Sequence, residues 1–245
     1  MNVDQLAESL RSDPMFMQNV VRWDVLPARP AVYEPFPDSL DPRLLPVLEK
    51  RGVHQLYRHQ AHAIREVLAG RDVVVVTPTA SGKTMCYKLP VLSAIFQNDD
   101  ARALYLFPTK ALSADQVSEL YELIEAMGVD IKTYTYDGDT PGAARKAVRQ
   151  AGHIVVTNPD MLHSGILPHH TKWGKLFENL RYIVIDEIHT YRGVFGSNLA
   201  NVLRRVLRPW EFLGRASPFL PRRAARCGPA GTGGNADGAR GQPGG

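Results

Sequence analysis

The segment Thr77-Pro78-Thr79-Ala80-Ser81-Gly82-Lys83-Thr84 sets a glycine, a lysine and a hydroxyl side by side, between a run of valines and a helical pattern. That order suits phosphate. Loop N–H groups and a helix N-terminus face the phosphate oxygens, Lys83 reaches the β- and γ-phosphates of a nucleoside triphosphate, and the Thr84 hydroxyl takes a magnesium ion. Thr77 stands where Gly or Ala is common, and Ala80 where Gly is frequent, so the loop is less permissive than usual. A chance Ser-Gly-Lys-Thr turn is the plain alternative, and the strand before and helix after weigh against it. A second set, Asp186-Glu187, closes the apolar run 182–185. Asp186 is suited to hold magnesium through water, and Glu187 to orient and deprotonate an attacking water. Alone, an acidic pair at a strand end is an ordinary solvated terminus; joined to a phosphate loop it becomes specific.

Both sets need a scaffold that delivers them to one place. Four valines in residues 72–76 read as a parallel strand buried on both faces. Similar apolar runs at 103–107, 131–134, 153–156 and 182–185 predict four more strands. Helical patterns at 58–68, 84–96, 113–127, 142–150 and 197–207 separate them. Strand–helix alternation of this kind predicts an α/β fold, a doubly wound parallel sheet with helices on both faces, whose ligands gather at the carboxyl ends of the strands. Residues 1–50 read as a helical, then Pro-rich arm, residues 51–213 as the α/β lobe, and 214–245 as a tail.

The 245 residues carry a net charge of +4, with 29 basic and 25 acidic groups. Five arginines and one aspartate lie in the tail, which leaves 24 of each sign in residues 1–213. The positive balance therefore marks no binding face on the folded part. Of the 32 tail residues, 24 are Gly, Pro, Ala or Arg. Such a segment buries too little apolar surface to offset chain entropy, which predicts disorder, and its GC-rich codon bias points to a shifted reading frame. Two cysteines, Cys86 and Cys227, exclude a disulfide framework or a four-cysteine zinc site, and Cys86 reads as a small buried hydrophobe. No run approaches a membrane span and no secretory signal is expected, so the anticipated compartment is a reducing cytoplasm.

Asp186-Glu187-Ile188-His189 is a DEAD/DEAH-type box, and the chain resembles the first RecA-like P-loop NTPase lobe of superfamily 2 helicases. Leu56-Tyr57-Arg58-His59-Gln60 is similar to their Q motif, which implies that Gln60 reads adenine. Pro108-Thr109-Lys110-Ala111-Leu112 is similar to motif Ia, and Thr157-Asn158-Pro159-Asp160-Met161-Leu162 to motif Ib; the resemblance implies that both loops hold a nucleic-acid backbone. Phosphate contacts suit Thr109, Lys110 and Thr157, and a helix N-terminus after Pro159 could add backbone amides. Residues 186–205 resemble most closely the MrfA-like group of bacterial DNA-repair helicases, whose complete members carry a zinc-binding cysteine cluster. The resemblance spans residues 23–213 and implies ATP and Mg²⁺ as ligands. In the box, it implies that His189 links the ATP site to motif III. It also implies a DNA partner and a second RecA-like lobe that supplies an arginine.

Motif III is expected soon after the helix at 197–207, where the family pattern stops and the tail begins. Hence the expectation is a helicase ATP-binding lobe cut short before motif III. The alternatives are a stand-alone ATP-binding module without unwinding activity and an unrelated phosphotransferase, the last disfavoured by motifs Ia and Ib. Near the same groove, Tyr136-Asp137-Gly138-Asp139 predicts a turn. Trp173 and Tyr191 read as packing residues rather than base-stacking ones. Arg204, Arg205 and Arg208 read as a solvated stripe.

Overall fold

The structure, a computed structural model, describes residues 2–25, 30–77 and 81–212. The expectations placed on Thr79 and Ala80 and on the tail at 214–245 lie outside the described residues. Two compact units divide the chain at residue 32. The first holds helices α1 (Val3–Ser12) and α2 (Pro14–Met17). Asn2 and Gln5 cap α1 reciprocally, and Asp13 accepts from Met15 N–H and Phe16 N–H at the start of α2.

The second unit is the α/β lobe. Short strands β1 (Tyr33–Glu34) and β2 (Leu56–Tyr57) pair antiparallel, with helix α3 (Leu45–Lys50) between them and α4 (Arg58–Leu68) after them. Residues 33–50, read from sequence as arm, supply Leu40, Leu44 and Leu48 to the core of this unit. Helix α5 (Met85–Gln97) follows the phosphate-loop segment. Then β3 (Arg102–Leu106), α6 (Lys110–Met127), β4 (Thr133–Thr135), α7 (Gly142–Ala151) and β5 (Ile154–Thr157) alternate. After β5 come α8 (Pro159–Met161), two irregular helical turns, α9 (Gly174–Asn179), β6 (Leu180–Ile185) and the long α10 (Gly193–Phe212). The main sheet is parallel, in the order β4-β5-β3-β6.

Period-two alternation divides the strand residues between two core layers. Ala103, Tyr105, Ile154, Val156 and Val184 face one layer, which α3 to α6 complete with Leu48, Ile64, Leu92 and Leu120. Leu104, Leu106 and Val155 face the other, filled by Trp173, Phe177, Leu199 and Val206. The doubly wound reading thus stands. Cys86 is buried, as read, and burial pushes its thiol up to about 11.

One expected strand is absent. Residues 72–76 form no strand, and Val74 and Val76 are 50% and 79% exposed. The valine pattern reports what a segment can do, but a ladder needs a neighbour with free N–H and C=O groups in register. Among the described residues the sheet ends at β6, and the valine segment pairs with none of its strands.

Candidate nucleotide and nucleic-acid site

Three parallel strands bring the chemistry to one edge. Thr157, Leu106 and Ile185 lie in register across β5, β3 and β6, each at the carboxyl end of its strand. The row is extended by two backbone bonds: Phe107 N–H donates to Thr157 O at 3.0 Å, and Asp186 N–H to Leu106 O at 3.1 Å. Motifs Ib, Ia and the acidic pair therefore follow one another side by side along a single sheet edge.

At the β6 end the chain turns sharply. Glu187 sits at φ +50°, the one non-glycine residue with positive φ among the described residues. Such a conformation costs on the order of 1–3 kcal/mol and persists where its surroundings over-determine it. Here the determinants are visible. Asp186 Oδ1 accepts Glu187 N–H at 2.8 Å, Thr190 N–H reaches Glu187 O at 2.9 Å, and Glu187 Oε2 lies 3.1 Å from His189 Nδ1. Oδ2 of Asp186 accepts from the Tyr87 hydroxyl at 3.0 Å.

The phosphate-loop segment is closed on itself. Lys83 Nζ donates to Thr77 O at 3.2 Å, and the Thr77 and Ser81 hydroxyls lie 2.6 Å apart. Gln60 bridges two segments: Tyr57 N–H donates to its Oε1 at 2.9 Å, and its Nε2 donates to Gly82 O at 2.8 Å. Gly82 has φ +71°, a conformation that requires glycine, and a Cβ there would stand 2.5 Å from Gln60 Nε2 and push that amide aside. His59 Nε2 adds a contact to Ser81 O at 3.0 Å. Beside this strut opens a cleft of about 560 Å³, lined by Tyr33, Tyr57, Gln60, Thr84 and Lys88 among others. Tyr33 stacks on Tyr57 at 5.1 Å and Tyr57 on His59 at 5.7 Å, which gives the mouth an aromatic wall. Sequence reasoning missed Tyr33, which reaches the site through the β1–β2 pair 24 residues before its partner.

One carboxylate and one hydroxyl, Asp186 and Thr84, are the donors that could hold a metal. No group of three or more His, Cys, Asp or Glu able to hold a metal occurs among the described residues. This donor set fits magnesium, which keeps several waters and shares phosphate oxygens, better than it fits an all-protein cage.

The nucleic-acid candidates divide. Thr109 and Lys110 are exposed and Pro108 half-buried at the end of β3, where Thr109 caps α6. Lys110 is engaged: it bonds Asp139 and lies 3.5 Å from Asp137. The Asp137–Asp139 turn therefore sits beside motif Ia, as expected. Thr157 departs from expectation. It is buried, and its hydroxyl donates to Tyr136 O at 2.7 Å, so strand alternation has turned it inward, away from a phosphate. The helix expected after Pro159 is a three-residue turn whose Met161 N–H is already taken by Asn158 Oδ1 at 2.7 Å. Trp173 and Tyr191 are buried packing residues, Trp173 edge-on to Tyr136. Arg204 and Arg208 are exposed, whereas Arg205 turns to His163. No described helix is long and apolar enough to cross a membrane.

Comparison with known proteins gives one grouping. Residues 57–217 match the family model described as DEAD/DEAH box helicase. The uncharacterized ATP-dependent helicase YprA of Bacillus subtilis (strain 168) is 60% identical over 211 residues, covering 86% of this chain and 28% of the relative. ATP-dependent helicase HRQ1 of Saccharomyces cerevisiae is 36% identical over 213 residues, covering 84% and 19%. The crystal structure of helicase MrfA bound to DNA and AMPPNP matches with a TM-score of 0.82 at 57% identity, over 88% of this chain and 30% of that one. The chain spans less than a third of the length of these relatives. It belongs to the DEAD/DEAH box helicase family, in its MrfA-like group.

Proposed function

We propose that the chain is the ATP-binding lobe of an ATP-dependent DNA helicase, holding ATP–magnesium beside Lys83 and Asp186 and a DNA backbone beside Lys110. The observation that carries this reading is the register row Thr157–Leu106–Ile185, which sets three motif loops on one sheet edge. Lys83 leaves Thr77 O and meets the β- and γ-phosphates, joined by Ser81 and Gly82 N–H groups and by Thr79 and Ala80. Gln60 spends one N–H and one lone pair on its strut and keeps one more of each, the complement of an adenine edge. Magnesium, when bound, neutralises charge on the phosphate oxygens; Thr84 and Asp186 hold it. Glu187, fixed in its turn by Asp186, orients water and takes its proton. Lys110, Thr109 and Asn158 contact sugar-phosphate, so binding is independent of base sequence and weakens with salt. A cytoplasmic place and a part in DNA repair go with the same reading.

A second reading, an ATP-binding module without unwinding, is favoured for these 245 residues by themselves. Their described part builds one lobe, whereas unwinding needs two lobes that close and reopen on ATP. An arginine from a second lobe is worth about 10³–10⁵ in rate. The isolated chain should turn ATP over very slowly and separate no strands; unwinding of a tailed duplex by it would overturn this reading.

The nucleotide site itself is tested by Lys83→Ala. Removing a charged phosphate contact should weaken ATP–magnesium binding by about 1.5–3 kcal/mol in calorimetry. Equal affinity in both forms would refute the phosphate-loop assignment.

A further inference from the structure

Helix α5 leaves the phosphate loop with Lys83 just before its start and Tyr87 one helical turn further on. The Tyr87 ring packs edge-on against Tyr105 of β3 at 5.4 Å, which fixes where its hydroxyl points. That hydroxyl lies 3.0 Å from Asp186 Oδ2 and 3.2 Å from Gln116 Oε1 on α6. A phenol has one proton to give, and a charged carboxylate is the stronger acceptor. The other oxygen of Asp186 is spent on Glu187 N–H. Both oxygens are thus tethered, and the plane of the carboxylate is set before any ligand arrives.

We propose that Tyr87 is a positioning residue for Asp186: its hydroxyl orients the carboxylate that receives magnesium, while Gln116 Oε1 on α6 stands as a second acceptor that competes for the same proton. The proposal rests on the nucleotide-site reading above. It has a structural corollary. Helix α6 begins at Lys110, so Gln116 is a direct covalent extension of the element that carries the candidate DNA contact. A shift of α6 on DNA would move this competing acceptor and, through the Tyr87 proton, alter the hold on the metal ligand. Groups that orient metal ligands typically change metal affinity by about 10- to 100-fold when removed. Because Asp186 acts on magnesium through water, the low end applies.

The test uses the full 245-residue chain, a fluorescent ATP analogue and a magnesium titration. Tyr87→Phe removes one oxygen and keeps the ring against Tyr105, so the fold should persist in a melting scan. The magnesium concentration for half-maximal analogue binding should rise about 10-fold, while binding without magnesium stays the same. In an Asp186→Asn background the same substitution should add little, since the group it positions is gone. Gln116→Leu, which removes the competing acceptor, should not raise the midpoint. An unchanged midpoint in folded Tyr87→Phe, or a full additional shift in the Asp186→Asn background, overturns the proposal. If the wild-type chain binds the analogue with no magnesium dependence, the nucleotide-site reading has failed instead.

Discussion

The carboxylates at the end of β6 and the loop proposed to hold phosphate belong to one proposed site, yet they are held in different ways. Asp186 is tied at its N–H, at Oδ1 and at Oδ2, and the strand behind it pairs with β3 along its length. The valine run behind Lys83 has no strand partner among the described residues, Val74 and Val76 meet water, and Lys83 rests on a carbonyl of its own loop. One half of the site is preorganised by the sheet. The other is poised by local contacts that a phosphate must replace. Rigid positioning matters most where a proton is to be taken from water, whereas a phosphate carries enough charge to organise a loop around itself.

The largest expected difference lies between the two supporting segments. Leu106→Ala, in the fully buried centre of the row, should destabilise the lobe by about 2–5 kcal/mol in denaturant unfolding. Val76→Thr, on the exposed run, should stay within about 0.5 kcal/mol. Comparable losses at both positions would break the contrast.

Gly82→Ala comes next. Its Cβ meets Gln60 Nε2 and its φ is wrong for alanine, so about 1–3 kcal/mol of strain should appear as weakened nucleotide binding or a lower melting point. No change in either would mean that the Gln60 strut is not formed in solution.

On the DNA side the effect is smaller and read by salt. Lys110→Ala should lower the slope of log affinity for single-stranded DNA against log salt by about 1. Asp139→Asn, which removes the nearer of the two carboxylates beside Lys110, should tighten binding by less than about 1 kcal/mol, as exposed pairs do. A weaker complex with Asp139→Asn would reverse the assigned role of the turn.

The smallest effect belongs to the opposite end of the strands. His153 is buried just before β5, and its Nδ1 accepts Lys132 N–H at 3.0 Å, which requires a neutral ring. Burial first, then Arg102, lowers its pKa below the ordinary value of 6.5. The unfolded chain therefore binds the proton more readily, and stability, full above pH 6.5, falls as pH drops below it. A melting point that falls from pH 7.5 to 5.5 in the wild type and falls less in His153→Gln would bear this out; parallel curves would not.

What could be read from the residues divides along the same line. Strands β3 and β5 were legible because each is an apolar run buried on both faces, and β6 because residues 182–185 continue the same kind of run although the edge strand is only partly buried. The acidic pair was legible because it closes such a run. The valines at 72–76 made the clearest run of all and form no strand, since apolar period is a property of one segment and pairing a property of two. Thr157 was misplaced for a related reason: a motif gives the loop, but alternation along β5 decides which side chain faces out. Tyr33 and Gln116 reach the site through tertiary contacts with no local signature. Tyr87 had one, its place in the first turn of the helix that follows Lys83, which keeps it near the phosphate loop.

The order of the strands also sets a schedule for synthesis. Strand β3 is central and wholly apolar in its setting, but its partners come later: 79 residues separate Leu106 from Ile185. At about 5–20 residues per second the ribosome needs roughly 4–16 s to make that stretch. Until β5 follows 51 residues on, the nascent chain exposes the stickiest strand of the lobe with both edges open, and the edge that β6 will cover stays open for the whole interval. A chaperone that binds extended apolar segments should therefore engage nascent chains that end between β3 and β6, and release them once residue 185 has cleared the exit tunnel.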